Sequence, residues 1–196
     1  MTISTHRRMT LQEYLNYDDG TNTRYELVNG VLVEMGAESA LNISIAFFLA
    51  MTFAQLGIPP YRIGNKHLIE VSSTAVTARD PDLTVHSEAS YEAVISEKQS
   101  LLRYDKPVPL LVVEVVSPGE PGEPNYDRDY VEKRREYARR GIPEYWLIDP
   151  LRQVVLVLTL AEETYREQRF TGQEAILSPT FPPLNVTAER VLKAGR

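Results

Sequence analysis

The feature that most constrains the fold is an apolar run with one carboxylate in it, Leu-Leu-Val-Val-Glu-Val-Val-Ser-Pro at 110–118. Six of its first seven residues are Leu or Val, a pattern typical of a strand that is buried on both faces. Glu114 lies in the middle of this run. A buried carboxylate is costly unless another group pairs with it or binds it. Glu114 is therefore a candidate for an ion pair or a metal ligand.

Composition limits the classes to which the chain can belong. With 196 residues, 43% of them hydrophobic, the chain is long enough for one substantial core, and we expect a single domain over 1–196. It has no cysteine, which is typical of a cytoplasmic protein. No apolar run reaches the roughly 18 residues of a membrane span, and the N-terminus lacks the apolar segment of a secretory signal. A net charge of −6 argues against a general polyanion binder but allows a local basic patch.

Turn and capping signals predict the first elements. Thr and Glu three residues apart, in the segment 10–13, form a capping-box pattern that opens a short helix. Asn29-Gly30 is typical of a type I′ turn, which predicts a hairpin between strands at 24–28 and 31–35. Further strands are predicted at 61–63, 67–71, 82–86, 144–149, 154–160 and 165–170.

Two longer helices are predicted. The segment 39–57 is apolar nearly all round, which indicates a buried central helix. The segment 128–140 is expected to begin after Asp127 as its cap and to end at Gly141. The polar segment 87–108 gives no clear pattern. The mixture of helices and strands predicts an α/β fold with a central mixed sheet flanked by helices.

Three charged residues suggest a catalytic arrangement. Asp82 opens one predicted strand, and Glu114 lies in a neighbouring one. Two carboxylates on neighbouring strands can hold a hard divalent cation such as Mg²⁺ through oxygen ligands. Lys133 lies on the following helix, and a nearby ammonium can position a water molecule and stabilise charge on a phosphate.

The spacing around Lys133 predicts which way it points. Tyr130, Lys133 and Tyr137 share one helix face, and the tyrosines should pack inward, so Lys133 should point at the sheet. The alternative is a lysine whose stem packs on the aromatic rings while its charge reaches water. We expect the fold to survive replacement of Lys133, since a polar group facing a pocket contributes little to packing.

Four segments in order carry a family resemblance: Tyr-Glu-Leu-Val-Asn-Gly at 25–30, Pro-Asp at 81–82, Glu-Val-Val-Ser at 114–117, and a Lys-x-x-x-Tyr-Ala-x-x-Gly-Ile-Pro-Glu-Tyr-Trp-x-Ile-Asp run at 133–149. Together they resemble the Uma-type family of bacterial restriction endonucleases, within the PD-(D/E)xK nuclease superfamily. The resemblance extends from about Thr10 to Pro183 and implies a restriction-endonuclease-like core over about 10–183.

The resemblance also implies a site. Asp82 and Glu114 would be the metal-binding carboxylates, and the backbone carbonyl of Val115 a further ligand, for Mg²⁺ or alternatively Mn²⁺. Glu26 would be an additional acid near the metal or the water. The superfamily lysine two residues after Glu114 is Val116 here, so the resemblance implies that Lys133 supplies this charge from the helix.

The implied activity is endonucleolytic cleavage of nucleic acid, with DNA as the expected substrate and a homodimer as the expected assembly. Three alternatives stay open. The first alternative concerns the activity: the chain would be a nuclease-fold module that no longer cuts, or a hydrolase of RNA or of a small phosphodiester. The second alternative concerns Glu26, which would be a simple edge-strand charge, since it shares a strand face with Val28. The third alternative concerns the basic segment 128–140, which would be a solvated helix rather than a phosphate-binding surface. His67 and His86 are expected to be hydrogen-bonded strand residues rather than ligands.

Overall fold

The computed structural model describes residues 8–71 and 75–196, and its strands form two mixed sheets. One sheet has the order β2-β1-β5-β4-β7 and the other β11-β10-β9-β8-β6-β3. The strands are β1 (Arg24–Val28), β2 (Val31–Met35), β3 (Ile63–Gly64), β4 (Leu68–Val71), β5 (Thr77–Arg79), β6 (Leu83–Val85), β7 (Leu101–Leu102), β8 (Leu111–Val115), β9 (Glu144–Asp149), β10 (Val154–Ala161) and β11 (Thr164–Phe170). The predicted mixed α/β class is confirmed, with the β-structure divided between two sheets.

Helices flank the sheets. They are α1 (Leu11–Leu15), α2 (Ala40–Gln55), α3 (Glu88–Ile95), α4 (Pro124–Asp127), α5 (Arg134–Arg140) and α6 (Ala188–Leu192). A π-helical turn, Arg128–Lys133, joins α4 to α5, so that 124–140 is one helical segment. Within the described ranges, no helix combines the length and the apolar character that crossing a membrane requires.

Strand β8 separates two apolar clusters because its side chains alternate between faces. Val113 and Val115 join the cluster formed with α2 and the C-terminal segment. Val112 joins the cluster formed with Tyr137 of α5. Glu114 shares the face of Val112 and therefore points toward the helical segment 124–140.

The predicted hairpin is confirmed. Strands β1 and β2 pair antiparallel, with Val28 opposite Val31. Asn29 and Gly30 both have positive φ, 51° and 77°, as a type I′ turn requires. The turn is held from outside, because Gly30 N–H donates to the Val76 carbonyl at 2.7 Å.

Two helix predictions need correction. Helix α2 is not buried all round, because only one face packs on the six-stranded sheet, while Ile43 is 54% and Phe47 68% exposed. The second segment does not begin after an Asp127 cap. It begins at Pro124, whose ring suits the first helical position. The segment 87–108, which had no clear pattern, contains α3 and β7.

A buried carboxylate ties the C-terminal segment to the six-stranded sheet. Glu144, in β9, accepts hydrogen bonds from Trp146 Nε1 at 2.6 Å, Ser178 Oγ at 2.7 Å and Thr180 N–H at 2.9 Å. Glu144 is fully buried and its two oxygens accept from three donors, so a side chain that presents an N–H at this position would face another donor.

Glu144→Gln is therefore expected to lower the free energy of unfolding by about 1–3 kcal/mol, since its amide NH₂ faces donors. Urea unfolding measures this change. The exposed Glu163→Gln is the matched control and should change stability by less than about 0.5 kcal/mol. Equal stabilities of the two variants would show that the network does not stabilise the fold.

Candidate active site

Asp82 and Glu114 lie together because of the pairing between β6 and β8. The antiparallel register pairs Leu83 with Val113, so Asp82, the residue just before β6, comes opposite Glu114, the residue just after Val113. The Val115 N–H donates to Asp82 Oδ2 at 2.6 Å. Both carboxylates line a cleft of about 230 Å³.

Lys133 enters the same cleft from the helical segment. Its Nζ lies 2.8 Å from Glu114 Oε2, 3.2 Å from Asp129 Oδ1 and 3.5 Å from Glu26 Oε1, and its side chain is 2% exposed. It therefore points at the sheet, and the alternative in which its charge reaches water is wrong. Asp129 and Lys133 both lie on the π-helical turn, a distortion common at functional sites.

Electrostatics keep Lys133 charged. Burial alone would lower the pKa of Lys133, but the carboxylates of Glu114, Glu26 and Asp129 raise it above its usual range. Glu114 is oriented from its other side, because Tyr137 Oη donates to Glu114 Oε1 at 2.9 Å. Both oxygens of Glu114 thus have partners on the helical segment.

Glu26 is part of this cluster rather than an edge-strand charge. It is fully buried, and its Oε2 lies 3.0 Å from Arg79 Nη1. Burial raises the pKa of Glu26, but the charges of Lys133 and Arg79 outweigh burial and lower it to about 2. The Asp80 N–H also donates to Glu26 Oε1, at 3.1 Å.

Arg79 and Asp129 are residues of this cluster that the sequence analysis missed, and Arg79 has the more extensive contacts. It is fully buried in β5, and besides Glu26 it contacts Glu136 at 2.7 Å and Glu132 at 3.0 Å. It thereby links the five-stranded sheet to the helical segment that carries Lys133. The signal in the sequence was weak, since an arginine three residues before Asp82 has no spacing that points to the helix.

Asp82 differs from Glu26 in its surroundings. Burial is the largest influence on it and raises the pKa of Asp82 to about 6, while the Val115 amide and the charge of Lys133 oppose this shift. A cation near Asp82 would offset the cost of its burial.

The basic segment 128–140 does not form a solvated basic stripe. Of its six arginines and lysines, only Arg135 and Arg139 are exposed. Arg140 donates to the backbone carbonyls of residues 103 and 106. The positive charge that borders the cleft comes from Arg24 of β1 and from two residues of the segment that are not exposed, Arg128 and Lys133.

The donor set fits a hard divalent cation. Asp82 and Glu114 offer carboxylate oxygens and Val115 a carbonyl oxygen, the ligand type that Mg²⁺ prefers. The Val115 carbonyl is oriented by Asn42 Nδ2 at 3.1 Å and keeps a second lone pair. In the part of the chain that the structure describes, no group of three or more acidic or histidine side chains is arranged to hold a metal ion. Two carboxylates suit Mg²⁺, because this ion usually retains several water molecules.

His67 and His86, which lie one residue before β4 and one residue after β6 rather than within strands, are hydrogen-bonded to each other. His67 Nδ1 lies 2.9 Å from His86 Nε2, and His86 Nδ1 lies 3.0 Å from Ser90 Oγ. Burial lowers the pKa of His86 to about 3, so this ring stays neutral at physiological pH. The expectation of hydrogen-bonded histidines is confirmed.

Comparison with known proteins identifies relatives of this chain. The family model Uma2, described as "Putative restriction endonuclease", matches residues 11–189. A crystal structure of "a putative nuclease belonging to DUF820" from Anabaena variabilis ATCC 29413 superposes with a TM-score of 0.72, covering 96% of this chain and 99% of that one. The two sequences are 15% identical, so this likeness shows a shared fold. No curated protein matches the chain.

The burial of Lys133 revises the expectation that its replacement leaves the fold intact. Lys133→Met should lower the free energy of unfolding by about 3–5 kcal/mol at pH 7, because it leaves the buried Glu114 carboxylate without its cation. Since the pKa of Lys133 is raised by folding, its contribution is fully present below its ordinary pKa and is lost only as the pH rises through the raised value.

Urea unfolding at pH 7 measures this loss. Lys193→Met is the control, because Lys193 is 53% exposed and forms a surface pair with Glu189. It should change stability by less than about 1 kcal/mol. If both variants unfold at the same urea concentration, the buried cluster is not held together by Lys133.

Proposed function

This chain belongs to the Uma2 family, and on that basis we propose that it is a divalent-metal-dependent endonuclease that hydrolyses phosphodiester bonds of DNA. The observation that carries the proposal is the 2.8 Å contact between Lys133 Nζ and Glu114 in a cleft that Asp82 also lines. Two carboxylates that can hold a divalent ion and an ammonium that can stabilise charge on a phosphate are groups suited to phosphodiester hydrolysis.

Each residue has a proposed role. Asp82, Glu114 and the Val115 carbonyl would hold Mg²⁺ or Mn²⁺. When bound, the ion would polarise a phosphoryl oxygen and lower the pKa of a bound water molecule. Lys133 stabilises the negative charge that develops on the phosphate. Glu26, itself fixed by a buried arginine, holds the Lys133 ammonium in place.

The helix supplies the cation that the strand lacks. Val116 stands where the superfamily pattern has lysine, and its side chain is buried in the apolar cluster that includes Tyr137. A lysine at that position would put its charge into this cluster. Lys133 brings an ammonium to Glu114 from the helical segment that packs on the same face of β8, so a lysine is present at the site although its position in the sequence differs.

A module that no longer cuts is the second candidate. The net charge of −6 favours it, because an acidic surface opposes a nucleic-acid backbone. Hydrolysis of RNA or of a small phosphodiester would use the same carboxylates. Substrate comparison separates these candidates.

We expect the protein to cleave plasmid DNA in the presence of Mg²⁺ or Mn²⁺ and not in EDTA. Asp82→Asn and Glu114→Gln should each reduce the rate by at least about 100-fold, since each removes the charge of a proposed ligand to the ion that would stabilise the transition state. Gel assays with plasmid, single-stranded DNA and RNA measure this. Asp105→Asn, at a site 71% exposed and outside the cleft, is the control and should cleave like the unmodified protein.

The outcomes are distinct. Cleavage of RNA alone would reassign the substrate. Metal binding without cleavage of any substrate would establish the inactive module. Full activity of Glu114→Gln would contradict the assignment of Glu114 to the catalytic site.

We also propose a homodimer, because two sites related by a twofold axis can cut both strands of a duplex, and twofold dimers are the commonest oligomers. Light scattering should give about twice the 22.2 kDa chain mass. A monomer at every accessible concentration would contradict concerted cleavage of both strands.

A further inference from the structure

A second cavity continues from the catalytic cleft. It has a volume of about 340 Å³ and lies between helix α2 and the chain around β3 and β6. It shares Glu38, Asn42 and Asp82 with the catalytic cleft. A substrate held at Asp82 therefore extends directly into this second cavity, which we call the side groove.

The side groove presents an exposed aromatic ring. Phe47 is 68% and Ile43 54% exposed, and both lie on the face of α2 that lines the groove. Helix α2, Ala-Leu-Asn-Ile-Ser-Ile-Ala-Phe-Phe-Leu-Ala-Met-Thr-Phe-Ala-Gln, contains no charged residue. Ala46 and Ala50, which also line the side groove, have small side chains, so a flat group has space to pack against the Phe47 ring.

The rim of the side groove is polar. The exposed side chains of Asn65 and Lys66 stand at its edge, opposite α2. An ammonium at the rim suits a phosphate, and an amide can both donate to and accept from the edge of a base. The groove thus combines a stacking surface, a cation and an amide beside the proposed catalytic carboxylates.

We infer that the side groove binds an unpaired nucleobase of the substrate, the one next to the scissile phosphate, stacked on Phe47 with Lys66 near the adjoining phosphate. This inference rests on the proposed function and names the form of nucleic acid that the site takes, a strand with unpaired bases. Stacking on an aromatic side chain tolerates any base, because every base has a π face. A base within a duplex has to leave its stack to enter the groove, which costs free energy.

A second copy of the chain fits the side groove less well. A protein surface seated there would remove the exposed Lys66 ammonium from water, and burying a charge is costly unless the partner surface supplies a counter-charge. It would also close one end of the catalytic cleft. A nucleotide instead brings a phosphate to Lys66 and leaves the cleft filled by its own backbone.

The test compares two fluorescein-labelled single strands of 12 nucleotides that have the same number of phosphates. One carries mixed bases, and the other is abasic throughout. Fluorescence anisotropy in EDTA, without cleavage, should show tighter binding of the strand with bases. Phe47→Ala should weaken binding of that strand by roughly 5- to 100-fold and leave the abasic strand unchanged.

Two further variants make the result specific. Phe47→Trp should keep the preference for bases, because indole also stacks. Met51→Ala is the matched control, since Met51 lies one turn along the same helix, is 48% exposed and does not line the side groove. It should bind both strands like the unmodified protein.

The inference is overturned if the unmodified protein binds both strands equally, if Phe47→Ala retains the preference, or if Met51→Ala loses it to the same extent. Conversion of a dimer to a monomer by Phe47→Ala, with the base preference intact, would identify the face as a contact between copies. Cleavage is measured in a separate assay from base-dependent binding, so the two proposals can fail independently. Loss of the proposed nuclease function leaves base-dependent binding measurable, and loss of base-dependent binding leaves cleavage measurable.

Discussion

The buried contact between Lys133 and Glu114 is the interaction on which the rest of the site depends. Ions in a protein interior are costly, and a well-packed apolar pair of similar volume is often at least as stable. This chain nevertheless surrounds Lys133 with three carboxylates and fixes one of them, Glu26, with the fully buried Arg79. Such an arrangement is understandable if the charges serve chemistry, since stability alone does not require them.

The fold positions these charges on rigid elements from different parts of the chain. Strand β8 supplies Glu114, the residue just before β6 is Asp82, β1 supplies Glu26 and the π-helical turn supplies Lys133. Arg79, in the five-stranded sheet, joins β1 to the helical segment, because it binds both Glu26 and Glu136. Groups held on strands and helices are placed more precisely than groups on loops. The cleft between these elements opens on one side into the groove along α2.

Local signals predicted much of this architecture, and long-range packing determined the rest. The Asn29-Gly30 turn and the apolar run around Glu114 were readable because turn chemistry and side-chain alternation are local properties. The motif resemblance predicted that Asp82 and Lys133 lie near Glu114. Arg79 was not predictable, because its three carboxylate partners lie 53 to 57 positions away along the chain. The exposed face of α2 was misjudged, since apolar composition alone does not distinguish a helix buried on all sides from one with an exposed apolar face.

Binding of Mn²⁺ is the measurement that tests the central claim most directly, because it requires no knowledge of the substrate. Titration followed by electron paramagnetic resonance should show Mn²⁺ bound to the unmodified protein. Asp82→Asn and Glu114→Gln should weaken that binding by at least about tenfold, as expected when a metal ligand loses its charge. Equal Mn²⁺ binding by the unmodified protein and both variants would contradict the account, and so would a complete lack of binding at millimolar Mn²⁺.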